Sequence, residues 1–535
     1  MEQYSSSQKL ISPDVLTQFR KLDLNYWMHP EKFIEFVNQP PSFKNIPNQI
    51  SQKILNYTNR DNWCQILKKQ YSKIDRSDPI HAQINKFQSE STFAVTCAHQ
   101  PCLLGGPLYW WIKITHTIKI ARELNIQYPQ YHFIPVYYSG NEDHDFDEIN
   151  HLWIFNKKLA WNTLQTGPVG RMSLDGMNEL FEEILSFFTN DEEAKKLICS
   201  IQALKEEAEC YEGFMMHFVH FLFGSYGLVY FNPDQVEAKK ILIPILSKEL
   251  TEHMVLEHTS SKIKGLESLT YPIQANPRDI NIFYLAPQYR SRIVLENKIF
   301  STIDKKYNWT SQEILEELNS NPENFSPNVL IRPLFQETLL PNLMFIGGGA
   351  EIAYWLQLKD IFAYCTITFP MLKRRASVVL IGENAQNKIA NLGLDNFDFL
   401  EPISQIEEKL IKLKSNFPQE LELIGNEISL GYEKLIQLSK NIIKGDNTGL
   451  LAEIKKMENI LDKLLHKLQK DEKLKFETDL TKVQKIKESL FPDNNLQERK
   501  ESGFQYFMQY GWSFIDELIE KLPGDNDSLV VLLEK

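Results

Sequence analysis

Residues 92–98 read TFAVTCA and residues 99–109 read HQPCLLGGPLY. The first run has the length and β-branched content of a buried strand, and the second leaves it through His99, Gln100, two adjacent glycines and a proline. A helix-like stretch, LYWWIKITHTIKIARELN, follows at once over 108–125. A strand that turns directly into a helix needs a tight loop, and Gly105 and Gly106 permit backbone angles that other residues resist. Pro107 suits the first helical turn, where its missing N–H has no intrahelical partner to lose. The spacing predicts a helix N-terminus whose unpaired N–H groups face the strand's carboxyl end as an anion cradle. The plainer reading is a turn in which the glycines only reverse the chain and His99 caps it. Neither GxGxxG nor GxxxxGK[ST] is matched, so no standard dinucleotide or Walker site follows.

The same logic recurs along the chain. HFIPVYYSG (132–140) enters an acidic loop, YGLVYFNPD (226–234) enters QVEAKKILIPILSKEL, and NLMFIGGG (342–349) enters AEIAYWLQLKDIF. From Phe93 to about Pro370 this alternation predicts an α/β, Rossmann-like core on a parallel sheet, with chemistry outside the strands' carboxyl ends. The stretch 270–329 interrupts it. APQYRSRIVLENKIFSTID alternates like a hairpin around Glu296 and Asn297, and TSQE (310–313) is a capping box, so this stretch reads as an insertion. After Asp398 the strand signals fade. Ile454, Met457, Leu461, Leu464 and Leu468 recur at alternating threes and fours, the seam of a coiled coil. The expected organisation is a core over 1–397, a helical coiled-coil domain over 398–492, and a segment 493–535 that returns to the core.

Composition bounds the function. With 535 residues, 43% apolar and 24% charged, the chain is folded and large enough for two or three packing units. A net charge of −12 excludes a general nucleic-acid binder. No apolar run reaches the ~20 residues that span a bilayer, and the first residues lack the pattern of a secretion signal. Cys64, Cys97, Cys102, Cys199, Cys210 and Cys365 form no CxxC pair, which argues for reduced thiols in the cytoplasm and against a structural zinc site.

Two further stretches carry chemistry. In SGNEDHDFDEINH (139–151), Glu142, Asp143, Asp145, Asp147 and Glu148 crowd a strand exit together with His144 and His151. Like-charge repulsion there must be relieved by protons, cations or hydrogen bonds. His144 flanked by Asp143 and Asp145 reads as an amine binder or general base, and a solvated acidic turn is the bland alternative. HExxH is absent, and no metal ligand is assigned. In VLIRPLFQETLLPNLMFIGGGAEIAYWLQLK (329–359), Gly347 and Gly348 separate strand from helix, Glu351 falls in the first helical turn, and Arg332 offers a planar fork for carboxylate or phosphate. Lys373, Arg374 and Arg375 add cationic character, which surface ion pairs would explain equally well.

HQPCLLGGPLY, GNEDHDFDEINH, NVLIRPLFQE, GGGAEIAYWLQLK and LFPDNNLQER, in this order, resemble the bacillithiol-biosynthesis cysteine-adding enzyme family (BshC). The resemblance implies a Rossmann-like core with connecting insertions, similar to class I synthetases and nucleotidyltransferases, and a coiled-coil domain used for homodimerisation. It also implies a ligase that joins cysteine through an amide bond to glucosamine-malate in the last step of bacillithiol synthesis. How the cysteine carboxylate is activated stays open between ATP, another nucleotide and a cysteine activated elsewhere. Carried over, the first loop supplies His99, Gln100, Gly105 and Gly106, the second Asp143, His144, Asp145 and Asp147, and the third Arg332 and Glu351. Two departures stand out: Cys102 where a glycine is expected, and GGGAE in place of a GGPGE-like run. A nucleotidyltransferase or other small-molecule ligase would use the same sheet edge, and a coiled-coil scaffold would need none of these loops.

Overall fold

The computed structural model describes residues 3–75, 77–442 and 448–535. They form two compact units, Met1–Val379 with Glu498–Leu532, and Leu380–Gln497 with Leu533–Lys535.

The first unit is built on five parallel strands: β1 (Thr92–His99), β2 (His132–Ser139), β3 (Val229–Phe231), β4 (Asn342–Gly347) and β5 (Met371–Arg374). Their order is β5-β4-β1-β2-β3. β1 is buried along all but its last residue, as a central parallel strand covered on both faces requires. The helix α1 (Leu108–Gln127) carries the chain from β1 to β2 and buries Trp110, Trp111, Ile114 and Ile118. Further along come α2 (Tyr211–Phe223), α3 (Val236–Glu252), α4 (Arg332–Leu339) and α5 (Gly349–Trp355). Four of the strands are the four apolar runs named above. The fifth is the LKRR stretch, whose charges hid it: Lys373, Arg374 and Arg375 are all buried, and they pair with Asp527, Asp23 and Glu498.

The inserted stretch is a separate antiparallel sheet. Its strands lie in the order Asn308–Thr310, Ile299–Thr302, Tyr289–Glu296, Ile282–Ala286 and Phe325–Pro327. Glu296 pairs with Ile299, and the turn residues Asn297 and Lys298 have φ of 50° and 67°, the left-handed pair of a type I′ hairpin. Thr310 and Glu313 form the reciprocal capping box that opens Ser311–Ser320.

The second unit holds the helices Ile403–Lys414, Phe417–Ile442, Thr448–Leu474 and Glu477–Leu490. It begins at Leu380 rather than near 398, because the helix Glu383–Asn391 packs on Glu477–Leu490 and not on the parallel sheet. The segment Glu498–Leu532 belongs to the first unit. The chain ends in a strand, Leu529–Glu534, that the charge-rich sequence before it conceals. Among the described residues, no helix is long and apolar enough to cross a membrane.

One buried acid makes the stability depend on pH. Glu212, in the first turn of α2, accepts from Ser139 Oγ at 3.1 Å, and burial, reinforced by Asp234, pushes its pKa up from 4.5 to about 8. Folding therefore takes up a proton between those values. The contribution is fully present below about 4.5 and is lost as pH rises through about 8. Glu212→Gln, which stays neutral, is expected to melt higher than wild type at pH 8 and no higher at pH 4. Parallel melting-temperature profiles of the two proteins would contradict this.

Candidate active site

A cavity of about 360 Å³ opens at the carboxyl ends of β1, β2 and β4. Of the residues singled out in the sequence, His99, Gln100, Asp143, Arg332, Gly348 and Glu351 line it; His144, Asp145, Asp147, Gly105, Gly106 and Gly347 do not.

The first loop is a turn rather than a cradle. Gly105 and Gly106 have φ of 80° and 47°, and a Cβ on Gly106 would lie 2.6 Å from Cys102 Cβ. The glycines are needed for conformation and packing, so a side chain at 106 costs stability first. The α1 N-terminus is already occupied, since Leu108 N–H donates to the Glu501 carbonyl at 2.7 Å. The anion-cradle expectation fails here because a distant segment satisfies the helix end.

What the loop does deliver is His99. Its ring packs edge-on against Tyr109, 5.3 Å between centroids, with Nδ1 3.1 Å from the Gln100 carbonyl. A proton on Nδ1 donates there, and Nε2 is then the lone-pair nitrogen. Burial, then the Lys113 cation, lowers its pKa to about 3, so the ring is neutral. Lys113 is the one charge in the run LYWWIKITH and is buried mid-helix. Its ammonium donates to the Ala98 carbonyl at 3.0 Å and to Glu351 Oε2. Glu351 also accepts the Gly348 N–H at 2.8 Å; burial opposes its ionisation, yet Lys113, with this N–H, holds it below the usual carboxylate range. Gly349 is required for close approach, because a Cβ would fall 2.1 Å from Asp23 Cγ.

The acidic loop relieves part of its repulsion by sending Glu142, Asp143 and Asp145 to separate partners. Glu142 pairs with the fully buried Lys239. Asp143 accepts from Gln100 Nε2 at 2.9 Å and from Arg290 at 2.9 Å; burial opposes its ionisation, but His144 and Arg290 hold it far below the usual range. Asp145 caps the helix Phe146–Ile149, and Asp147 is exposed in its first turn. His144 is exposed, with Nδ1 2.6 Å from Arg290 Nη1. Arginine only donates, so this nitrogen accepts and is not free to take a substrate proton. Glu148, itself exposed, is the acid of this loop that lines the cavity without a protein hydrogen-bond donor, and partial desolvation, then Asp145 and Asp143, pushes its pKa up. Among the described residues no group of three or more His, Cys, Asp and Glu side chains is arranged to hold a metal ion.

Cations line the same cavity. Arg332 opens α4 and donates to Tyr354 Oη at 2.5 Å and Gln336 Oε1 at 3.3 Å, its guanidinium 5.5 Å from the Tyr138 ring centre. No acidic side chain among the described residues forms an ion pair with it. Arg375, bound to Glu498 at 2.7 Å, and Arg499 complete this wall. Three cavity-lining polar atoms, Tyr138 Oη, Gln100 Oε1 and Arg290 Nε, are buried without a protein partner. Such groups cost about 1–3 kcal/mol each when left unpaired.

Sequence reasoning missed Lys113, Tyr138, Glu148 as a distinct acid, Arg290 and Arg499 as cavity residues, whereas Arg375 is one of the three cations it named near the third loop. Lys113 had a signal, a lone charge in an apolar helix. Arg290 had none, because the inserted sheet carries it to Asp143 from far along the chain.

Comparisons with known proteins bear on the family. Residues 11–376 match the family described as "Bacillithiol biosynthesis BshC, N-terminal Rossmann-like domain", and residues 378–532 match its "C-terminal coiled-coil domain". Proteins named "Putative cysteine ligase BshC" from Flavobacterium johnsoniae and Flavobacterium psychrophilum are 34% and 35% identical, each over 94% of this chain and 95% of their own length. One of the same name from Christiangramia forsetii is 34% identical over 96% of this chain and 97% of its own. With both domains matched, over 11–376 and 378–532, the chain belongs to the BshC family of bacillithiol biosynthesis, enzymes of the ligase class.

Proposed function

We propose that the protein joins L-cysteine to glucosamine-malate through an amide bond, as the last step of bacillithiol biosynthesis. The observation that supports this reading is one cavity that gathers both kinds of group: the carboxylate of Glu148, and the guanidinium of Arg332 with those of Arg375 and Arg499. Amide formation needs an amine stripped of its proton and a carboxylate held in place. Glu148 attracts the glucosamine ammonium and, with its raised pKa, accepts the proton as nitrogen attacks. Arg332 holds a carboxylate through its planar fork, and Tyr138 and His99 offer hydrogen bonds from the walls. One carboxylate oxygen of cysteine must depart with an activating group, which ATP, another nucleotide or a prior activation supplies. Incubating the purified protein with glucosamine-malate and cysteine, with and without nucleotides, tests the reaction. A product heavier by one cysteinyl residue is expected. Absence of that product in every arm would sink the proposal.

We place the reaction in the cytoplasm, in keeping with six free cysteines, one of them, Cys199, exposed. We further propose a homodimer through the second unit. The seam read from the sequence divides: Ile454 is buried and Leu461 and Leu468 are half-buried, whereas Met457 and Leu464 are 47% and 53% exposed. Ile460, Leu430, Leu435 and Leu438 are likewise more than half exposed, an apolar face that a second copy would cover. Ile460→Glu with Leu464→Glu is expected to turn a dimer into a folded monomer in sedimentation. A wild type that stays monomeric at every concentration would end this reading.

A further inference from the structure

The helix α1 buries an ammonium in a stretch of mostly apolar side chains. Lys113 lies between Ile112 and Ile114, and its side chain is 2% exposed. An ammonium taken out of water loses its hydration, and an apolar side chain of similar volume is often no less stable in its place. Both of its bonds end on residues that line the cavity: Nζ donates to the Ala98 carbonyl at 3.0 Å and to Glu351 Oε2 at 2.5 Å.

Glu351 differs from buried carboxylates that serve the fold. Glu337, Glu249 and Glu498 line no part of the cavity, and each takes donors on both oxygens. Glu337 accepts from Asn342 on Oε1 and from Lys53 on Oε2. Glu249 accepts from Asn281 on Oε1 and from the Val255 N–H on Oε2. Glu498 accepts from Arg375 on Oε1 and from the Val378 N–H on Oε2. In Glu351 both donors, the Lys113 ammonium and the Gly348 N–H, converge on Oε2. Oε1 has no hydrogen-bond partner among the described residues and is not sealed from the cavity, which the side chain, 19% exposed, lines.

A carboxylate without such ties would turn freely and, partly dried, take up a proton more readily. Two donors on one oxygen keep the group ionised and fix its plane, so that the lone pairs of the other oxygen are offered to a guest. That oxygen suits a hydroxyl or an ammonium and repels carboxylate and phosphate. We propose that Lys113 is a positioning residue, which holds Glu351 so that Oε1 accepts a hydrogen bond from a donor group of a substrate. The ligase reading supplies only the names of the ligands: glucosamine-malate offers hydroxyls and an amine, and cysteine an α-ammonium.

Equilibrium titration with each substrate alone tests this without turnover. Glu351→Gln should weaken binding of the substrate it meets by about 10- to 100-fold. A loss for glucosamine-malate puts a sugar hydroxyl or the amine at Oε1, and a loss for cysteine its α-ammonium. Lys113→Met should cost the same substrate about tenfold or more. The double variant, Lys113→Met with Glu351→Gln, buries no charge at this pair and so keeps the fold if a single variant does not. It should bind that substrate as Glu351→Gln does, because Lys113 acts only through Glu351. A double variant with wild-type affinity for both substrates would leave a structural ion pair and nothing more. Losses that multiply in the double variant would give Lys113 a contact of its own. Either result overturns the proposal, as does wild-type affinity in Lys113→Met. A wild type that binds neither substrate would end the ligase reading and this proposal together, whereas binding indifferent to both positions ends this proposal alone.

Discussion

Glu148→Gln is expected to lower kcat for amide formation by about 10²- to 10⁴-fold, the usual contribution of a positioned acid–base group. The amide keeps the size and hydrogen-bonding reach of the side chain but cannot accept the amine's proton. Because partial desolvation and the neighbouring Asp145 and Asp143 raise the Glu148 pKa, the group loses its proton above the ordinary value of 4.5, and activity should climb with pH through that higher value. The rise should vanish in the variant. His144→Ala gives the contrast. That ring lies outside the cavity, its Nδ1 accepting from Arg290, so its loss should cost less than about tenfold. A Glu148→Gln enzyme with wild-type rate and pH profile, beside a dead His144→Ala, would return the proton acceptor to His144.

Arg332→Met is expected to reduce kcat/KM by about 10²-fold or more, mostly through KM, while the melting temperature stays close to wild type. Its guanidinium forms no ion pair with an acidic side chain in the cavity, so little stabilising charge pairing is lost, only the hydrogen bonds to Tyr354 and Gln336. A bound carboxylate, by contrast, would lose a charge-assisted partner in a partly dry site, worth about 2–5 kcal/mol. Arg332→Lys should recover only part, because an ammonium keeps the charge without the planar fork. Unchanged KM in Arg332→Met would remove this residue from substrate binding.

Local signals carried much of the architecture. Each of the four apolar runs is bounded by turn chemistry within a few residues, and all four are parallel strands. Thr310 with Glu313, and the turn after Glu296, were legible for the same reason: a cap or a tight hairpin is decided over four residues. Charges misled where burial overrode them. Lys373–Arg375 look like surface residues until Asp527, Asp23 and Glu498 arrive from distant segments to neutralise them.

The site divides along the same line. By itself the sequence determined which loops leave the sheet's carboxyl edge, and hence that His99, Gln100, Asp143, Arg332 and Glu351 come to one place. Only the tertiary structure decided what each could do there. Glu501 closes the α1 N-terminus, and Arg290 draws Asp143 and His144 away from proton chemistry. Lys113 holds Glu351, and Glu148 is left facing the cavity. The physical reason is range: turns and caps are settled between near neighbours, whereas the state of an ionisable group is set by whichever charges and whatever burial the whole fold brings within a few ångströms.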